Sequence, residues 1–192
     1  MALRTLLPAR RGTRTDRRWR DGQHPDRPRQ HRSVQAALTL GAVGGLVAGM
    51  GFLGMNSWYA DSLGQPQAGP LRTIATLVEG PPPQQAQVWV GVVVHVVLSI
   101  GFGVLLAALL RLPGAARAGG TVRLISGLLY GGALYLVDLQ LLSRHVEHWS
   151  AFLESTNQPF QLAVHLLFGV LVAVFLLQPR ATAHGQTSPG AR

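Results

Sequence analysis

The chain has no cysteine and no lysine, and it has only eight acidic residues. The first absence excludes disulfides, thiolate metal sites and cysteine nucleophiles. The second leaves all seventeen basic side chains as arginine. A GC-rich coding bias is the simplest origin for that, and no function is read from it. Charge as a whole is scarce: 13% of residues are charged against 47% apolar. The apolar residues are clumped into blocks, which argues for a polytopic membrane protein over a soluble fold. Other absences bear on chemistry. There is no nucleophile elbow, no glycine-rich phosphate loop and no pair of catalytic carboxylates. Gly101 and Gly103 lie inside an apolar run and are no nucleotide fingerprint. An enzyme is not expected.

What is present is four apolar runs. Residues 88–110 form the purest, with one ionisable residue, His95. About 20 residues at ~1.5 Å rise cross a ~30 Å hydrocarbon core. Residues 34–55, 124–142 and 160–177 are the other three. The fold class expected is therefore an all-α membrane protein with four transmembrane helices. Its organisation is a disordered arginine-rich tail over 1–33, a four-helix bundle over 34–178 and a disordered tail over 179–192. The first run is too long for a signal-peptide core, and Trp58 and Tyr59 do not make a small-residue cleavage site. It is read as a retained anchor.

Charge sets the orientation. Residues 1–33 carry ten arginines against Asp16, Asp21 and Asp26. With Pro8, Pro25 and Pro28 breaking any helix, this segment reads as a cytoplasmic topology determinant, and anionic lipid headgroups are its natural partner. A net charge of +9 would suggest nucleic acid in a soluble protein. Here no nucleic acid is expected. Arg111, Arg117 and Arg123 mark a second inner loop. Fifteen of the seventeen arginines fall on the inner side, with Arg72 and Arg144 the exceptions. Both termini are thus expected in the cytoplasm. In the long outer loop, residues 71–78 are too short to span. They either lie along the surface or dip into the membrane.

Each span shows a small-residue face. Gly41, Gly45 and Gly49 repeat every fourth position in the first. Ser99 and Gly103 follow His95 at the same spacing in the second. Gly127 and Gly131 lead to Tyr135 and Asp138 in the third, and Gly169 follows His165 in the fourth. Small residues four apart let membrane helices approach closely. The second and fourth spans also align as a weak repeat, His95 with His165, Ser99 with Gly169 and Gly103 with Ala173.

His95, Asp138 and His165 form the candidate polar cluster. Rise arithmetic places them roughly 6–10 Å below the outer surface. An ionisable residue inside a membrane marks a functional site by default, because burying it without a partner is costly. The plain alternatives are hydrogen-bonding glue between helices for the histidines and, for Asp138, reaching up to the headgroups or pairing with Arg144. No cofactor is the leading expectation. A b-type haem on His95 and His165 is one alternative. A divalent metal on His145 and His148, with Glu147 or His165, is another.

Several short motifs recur in combination: Leu71-Arg72-x-Ile74-Ala75-x-Leu77-Val78-x-Gly80, then His95-x-x-x-Ser99-x-x-x-Gly103, Gly127-Leu128-Leu129-Tyr130-Gly131 and His165-Leu166-x-Phe168-Gly169. Together they resemble a loose group of bacterial four-helix inner-membrane proteins of the YagU type, over roughly residues 36–178. The resemblance implies a multi-pass protein of the bacterial inner membrane, and it carries over no catalytic residue. Asp138 departs from the neutral polar residue expected there. Two functions are therefore in view. One is self-association or association with a membrane-protein partner through the small-residue faces. The other is a small transporter or ligand-binding protein using the His/Asp cluster.

Overall fold

The computed structural model describes residues 27–145, 153 and 156–177. Both tails therefore lie largely outside the described residues. So do Glu147 and His148. The chain divides by its contacts into residues 1–35 and 36–192, and the account below concerns the second unit. The described residues are helical and contain no strand. The helices are α1 (Arg27–Ser62), α2 (Gly69–Glu79), α3 (Val88–Leu109), α4 (Pro113–Ala116), α5 (Gly120–Tyr135), α6 (Ser143–His145) and α7 (Gln158–Leu177). A π-wound stretch, Leu136–Leu142, joins α5 to α6 without a break. Four segments are long and apolar enough to cross a membrane: Val34–Ser62, Val88–Leu109, Gly120–His145 and Gln158–Leu177.

Two differences from the sequence reading matter for the site. The first helix runs about two turns past Met55, to Ser62. The third begins at Gly120 and carries Asp138 on π-wound backbone. In both places the extra residues are mostly polar or small, with Trp58, Tyr59 and Val122 among them, and hydropathy alone does not extend a helix through them.

The small-residue faces close two hairpins. In the first, Gly41 packs where an added Cβ would lie 2.6 Å from both Gly103 O and Ala107 Cβ. A Cβ on Gly45 would fall against Ser99 O, and one on Gly49 against Ser99 Oγ. In the second hairpin, a Cβ on Gly127 would lie 2.6 Å from both Gly169 O and Ala173 Cβ, and one on Gly131 would meet His165 O. The contacts are the same. Gly41 and Gly45 map onto Gly127 and Gly131, 86 positions later, while Gly103 and Ala107 map onto Gly169 and Ala173, 66 positions later. The bundle is thus one hairpin used twice.

The hairpins meet along a core of Ala48, Leu106, Leu110, Leu134, Phe168, Val172 and Ala173. Phe102 and Phe168 meet edge to face with centroids 6.5 Å apart, and they too are equivalent under the 66-residue shift. Tyr130 donates its hydroxyl to Phe102 O at 2.8 Å. Around this core the surface is apolar: Val47, Met50, Val93, Val97, Leu129 and Val174 are all exposed. Such a surface suits hydrocarbon, which gives no backbone partner and needs none from closed helices.

Helix α2 is the one short element that shapes the interior. Pro70 sits in its first turn, where a missing N–H costs nothing. Gly80 ends it at φ +78°, a conformation that L side chains rarely adopt. It lies across the start of α3, so close that a Cβ on Gly91 would strike Leu71 O. Ile74, Ala75 and Thr76 are buried beneath it. Arg72 Nη1 donates to Ala86 O at 2.7 Å, and Gln87 N–H donates to Glu79 Oε2 at 2.6 Å. These two bonds tie the connecting loop back onto α2. Residues 71–78, too short to span, are thus helical and packed against the start of α3.

Candidate functional site

A cavity of about 310 Å³ lies between the hairpins. Its wall is mostly apolar, with Ile74 and Leu77 from α2 and Leu98 and Leu134 from α3 and α5. Eight wall positions form four equivalent pairs under the two shifts: Phe52 with Asp138, His95 with Gln161, Ser99 with His165, and Phe102 with Phe168. The cavity therefore sits on the axis that relates the two halves, the place where repeat-built membrane proteins form their sites. This register corrects the repeat read from sequence. That alignment shifted the fourth span by 70 positions; the packing shifts it by 66, one helical turn less. His95 is the counterpart of Gln161, not of His165.

Each buried histidine has one nitrogen committed. His95 Nε2 lies 2.8 Å from Gly49 O, which can only accept, so Nε2 carries the hydrogen. Gly49 is one of the packing glycines, so the close approach of α1 to α3 supplies this acceptor. His165 Nδ1 lies 2.6 Å from Gln161 O and donates by the same logic. That leaves His165 Nε2 facing Asp138 Oδ2 at 3.9 Å. The distance is too long for a hydrogen bond. Neutral imidazole and carboxylate are both acceptors at this point. A donor placed between them can bond to both.

Asp138 does not pair with Arg144, the partner offered by the sequence. Arg144 Nη2 donates instead to Gln140 Oε1 at 3.0 Å. Gln140 and Tyr135 both reach Gln158 Oε1, at 3.2 and 3.0 Å. This network closes the end of the second hairpin where α6 leads toward α7 and leaves the carboxylate facing the cavity.

His95 and His165 are linked through Phe52, whose ring packs against both, with centroids 5.9 and 4.9 Å away. A porphyrin held by both imidazoles would have to displace that ring. The arrangement does not fit an axial pair. Of the proposed metal ligands, His145 is exposed in α6 and His148 lies outside the described residues. Among the described residues no three His, Asp or Glu side chains are grouped closely enough to hold a metal ion.

Sequence reading missed Phe52, Asn56, Phe102 and Gln161. Gln161 Nε2 donates to Asn56 Oδ1 at 2.7 Å, deep between α7 and α1. Asn56 Nδ2 donates in turn to Phe52 O at 2.9 Å. Above this bridge lies a second cavity of about 270 Å³, more polar, which shares Phe52, Ile74 and Gln161 with the first. Those three side chains are the partition between the two. The one signal for them in the sequence was the 66-residue shift, which pairs Gln161 with His95. Replacing Asn56 by leucine strands the Gln161 amide in an apolar wall and is expected to cost about 1–3 kcal/mol. A double-mutant cycle with Gln161→Leu should recover most of that loss, read as melting temperatures in one detergent. Additive losses would show that the bridge carries no coupling.

Compared with protein-family models, with curated proteins and with solved structures, the chain matches none.

Proposed function

We propose that the chain is a multi-pass protein of a bacterial inner membrane, both termini cytoplasmic, that binds a small and mainly apolar molecule in the cavity between its two hairpins. The observation that carries this is the convergence of His95, Asp138 and His165 on one apolar-walled space. Its volume of about 310 Å³ falls at the lower end of the range for ligand pockets, and its wall has the usual make-up, apolar with a few placed polar groups. In the orientation read from the arginines, the site lies in the outer half of the bilayer. No catalytic step is assigned to it.

Association through the small-residue faces is the weaker reading. Gly41 and Gly45 pack on Gly103 and Gly49 packs on Ser99, while Gly127 and Gly131 pack on Gly169. The faces that motivated an external partner are taken up inside the hairpins.

Leu98 lines the cavity and is 38% exposed, so it stands at the mouth. Leu98→Trp should narrow that mouth without disturbing the core. The probe is 2-phenylethanol, titrated against the full chain in lipid nanodiscs. Weakening of about tenfold is expected, the equivalent of roughly 55 Å² of lost apolar contact at ~25 cal/mol per Å². Equal binding by the variant, or binding no stronger than to protein-free nanodiscs, rejects the cavity as the site.

A further inference from the structure

We infer that the ligand is an organic amine, bound as its ammonium, whose N–H groups bridge Asp138 and His165. This rests on the cavity being a ligand site. It adds the chemical class and the direction of approach.

The first observation is the acceptor pair itself. Asp138 Oδ2 and His165 Nε2 stand 3.9 Å apart. A nitrogen about 2.9 Å from each completes two good hydrogen bonds, and that nitrogen must carry at least two hydrogens. His165 cannot turn its donor inward, because Nδ1–H is held by Gln161 O at 2.6 Å. The second observation is charge. Among the described residues no arginine lines the cavity, and Asp138 is the one carboxylate that does. An anion finds no counter-charge there, whereas a cation finds one. The third is the wall. Phe52, Phe102 and Phe168 all face the space, and aromatic faces attract ammonium groups.

The mouth gives the route. Leu98 on α3 and Val137 on the π-wound stretch both line the cavity, and they are 38% and 43% exposed. Both belong to the apolar outer surface. A ligand passing between them comes from the hydrocarbon, so the amine is amphiphilic, with its apolar part trailing toward the mouth. The π winding belongs to this picture. It places Val137 at the mouth and Asp138 within, on consecutive residues of a backbone that departs from α geometry. The equivalent stretch of α1, around Phe52, stays α-helical. The two halves thus differ in winding at the very position where one carries the charge.

Three probes of one size test this on the full chain in nanodiscs near neutral pH: 2-phenylethylamine, 2-phenylethanol and phenylacetate. The amine should bind about tenfold more tightly than the alcohol, and phenylacetate should not bind above the level of protein-free nanodiscs. Asp138→Asn should remove that tenfold preference. If Asp138→Asn fails to fold, the ranking of the three probes on the wild-type chain decides alone. Amine and alcohol binding alike would mean that a proton or water already bridges the pair, and the amine assignment would fall while the cavity reading stood. If no probe binds, or if Leu98→Trp leaves binding unchanged, the cavity reading itself fails, and the amine with it.

Discussion

Gly103→Leu should abolish the folded protein, while Gly101→Leu, two positions away, should melt within about 0.5 kcal/mol of wild type. A Cβ at Gly103 would strike Gly41 O and come within 2.7 Å of Gly45 Cα. Both are backbone atoms, so no rotamer change relieves the clash. The whole of α1 must move off α3. A Cβ at Gly101 meets nothing within 4 Å. Alanine at Gly103 already exceeds the space, and overpacking of that kind costs about 1–3 kcal/mol. Leucine adds three more carbons along the same line. The damage reaches the site, since Gly49 O, the acceptor for His95 Nε2 at 2.8 Å, recedes with α1. Gly169 has the equivalent place in the second hairpin, against Gly127 O and Gly131 N. Gly169→Leu is therefore expected to behave as Gly103→Leu does. Thermal melts of all three variants in one detergent decide the matter. Equal melting of the Gly103 and Gly101 variants would mean that the helices are not held at this crossing.

The four spans were legible because hydropathy is a property of the segment and needs no partner. The glycine faces were legible for a similar reason, as a spacing of four is visible in one helix. Their partners were not. Gly41 points at Gly103 only after the chain has turned back through 62 residues, and no local pattern says which face meets which. The repeat was half visible. Matching histidine to histidine set it one turn out, because side-chain identity outweighed the glycine register that packing obeys. The pairing of Asp138 with His165 was within reach, since both were placed at similar depth. Phe52 was not, because a phenylalanine in an apolar span carries no mark of lining a cavity. The π winding at 136–142 has no residue signature at all.

Helix α2 is where structure and proposed function can be separated by a single change. Ile74 and Leu77 form part of the cavity wall, and Ile74 also separates the two cavities. They are held there because α2 crosses α3 at Gly91, where a Cβ would strike Leu71 O. Gly91→Leu should lift α2 and leave the four long helices standing, since Gly91 makes no part of either hairpin crossing. The chain has no cysteine of its own, so Ile74→Cys supplies a unique thiol. Ile74 is 8% exposed, and its thiol should react slowly with a membrane-impermeant maleimide while α2 is docked. If overpacking at Gly91 costs about 1–3 kcal/mol, the undocked population rises by roughly one to two orders of magnitude at 1.4 kcal/mol per factor of ten. Labelling should accelerate to match. Leu63→Cys, at a position 57% exposed, should label at the same rate with or without Gly91→Leu. The same variant should lose binding of 2-phenylethanol, because the cavity has lost a wall. Acceleration at both positions would mean general unfolding. Acceleration at Ile74 with binding retained would place the ligand away from α2, and with it the mouth and the amine site would have to be redrawn on the hairpins alone.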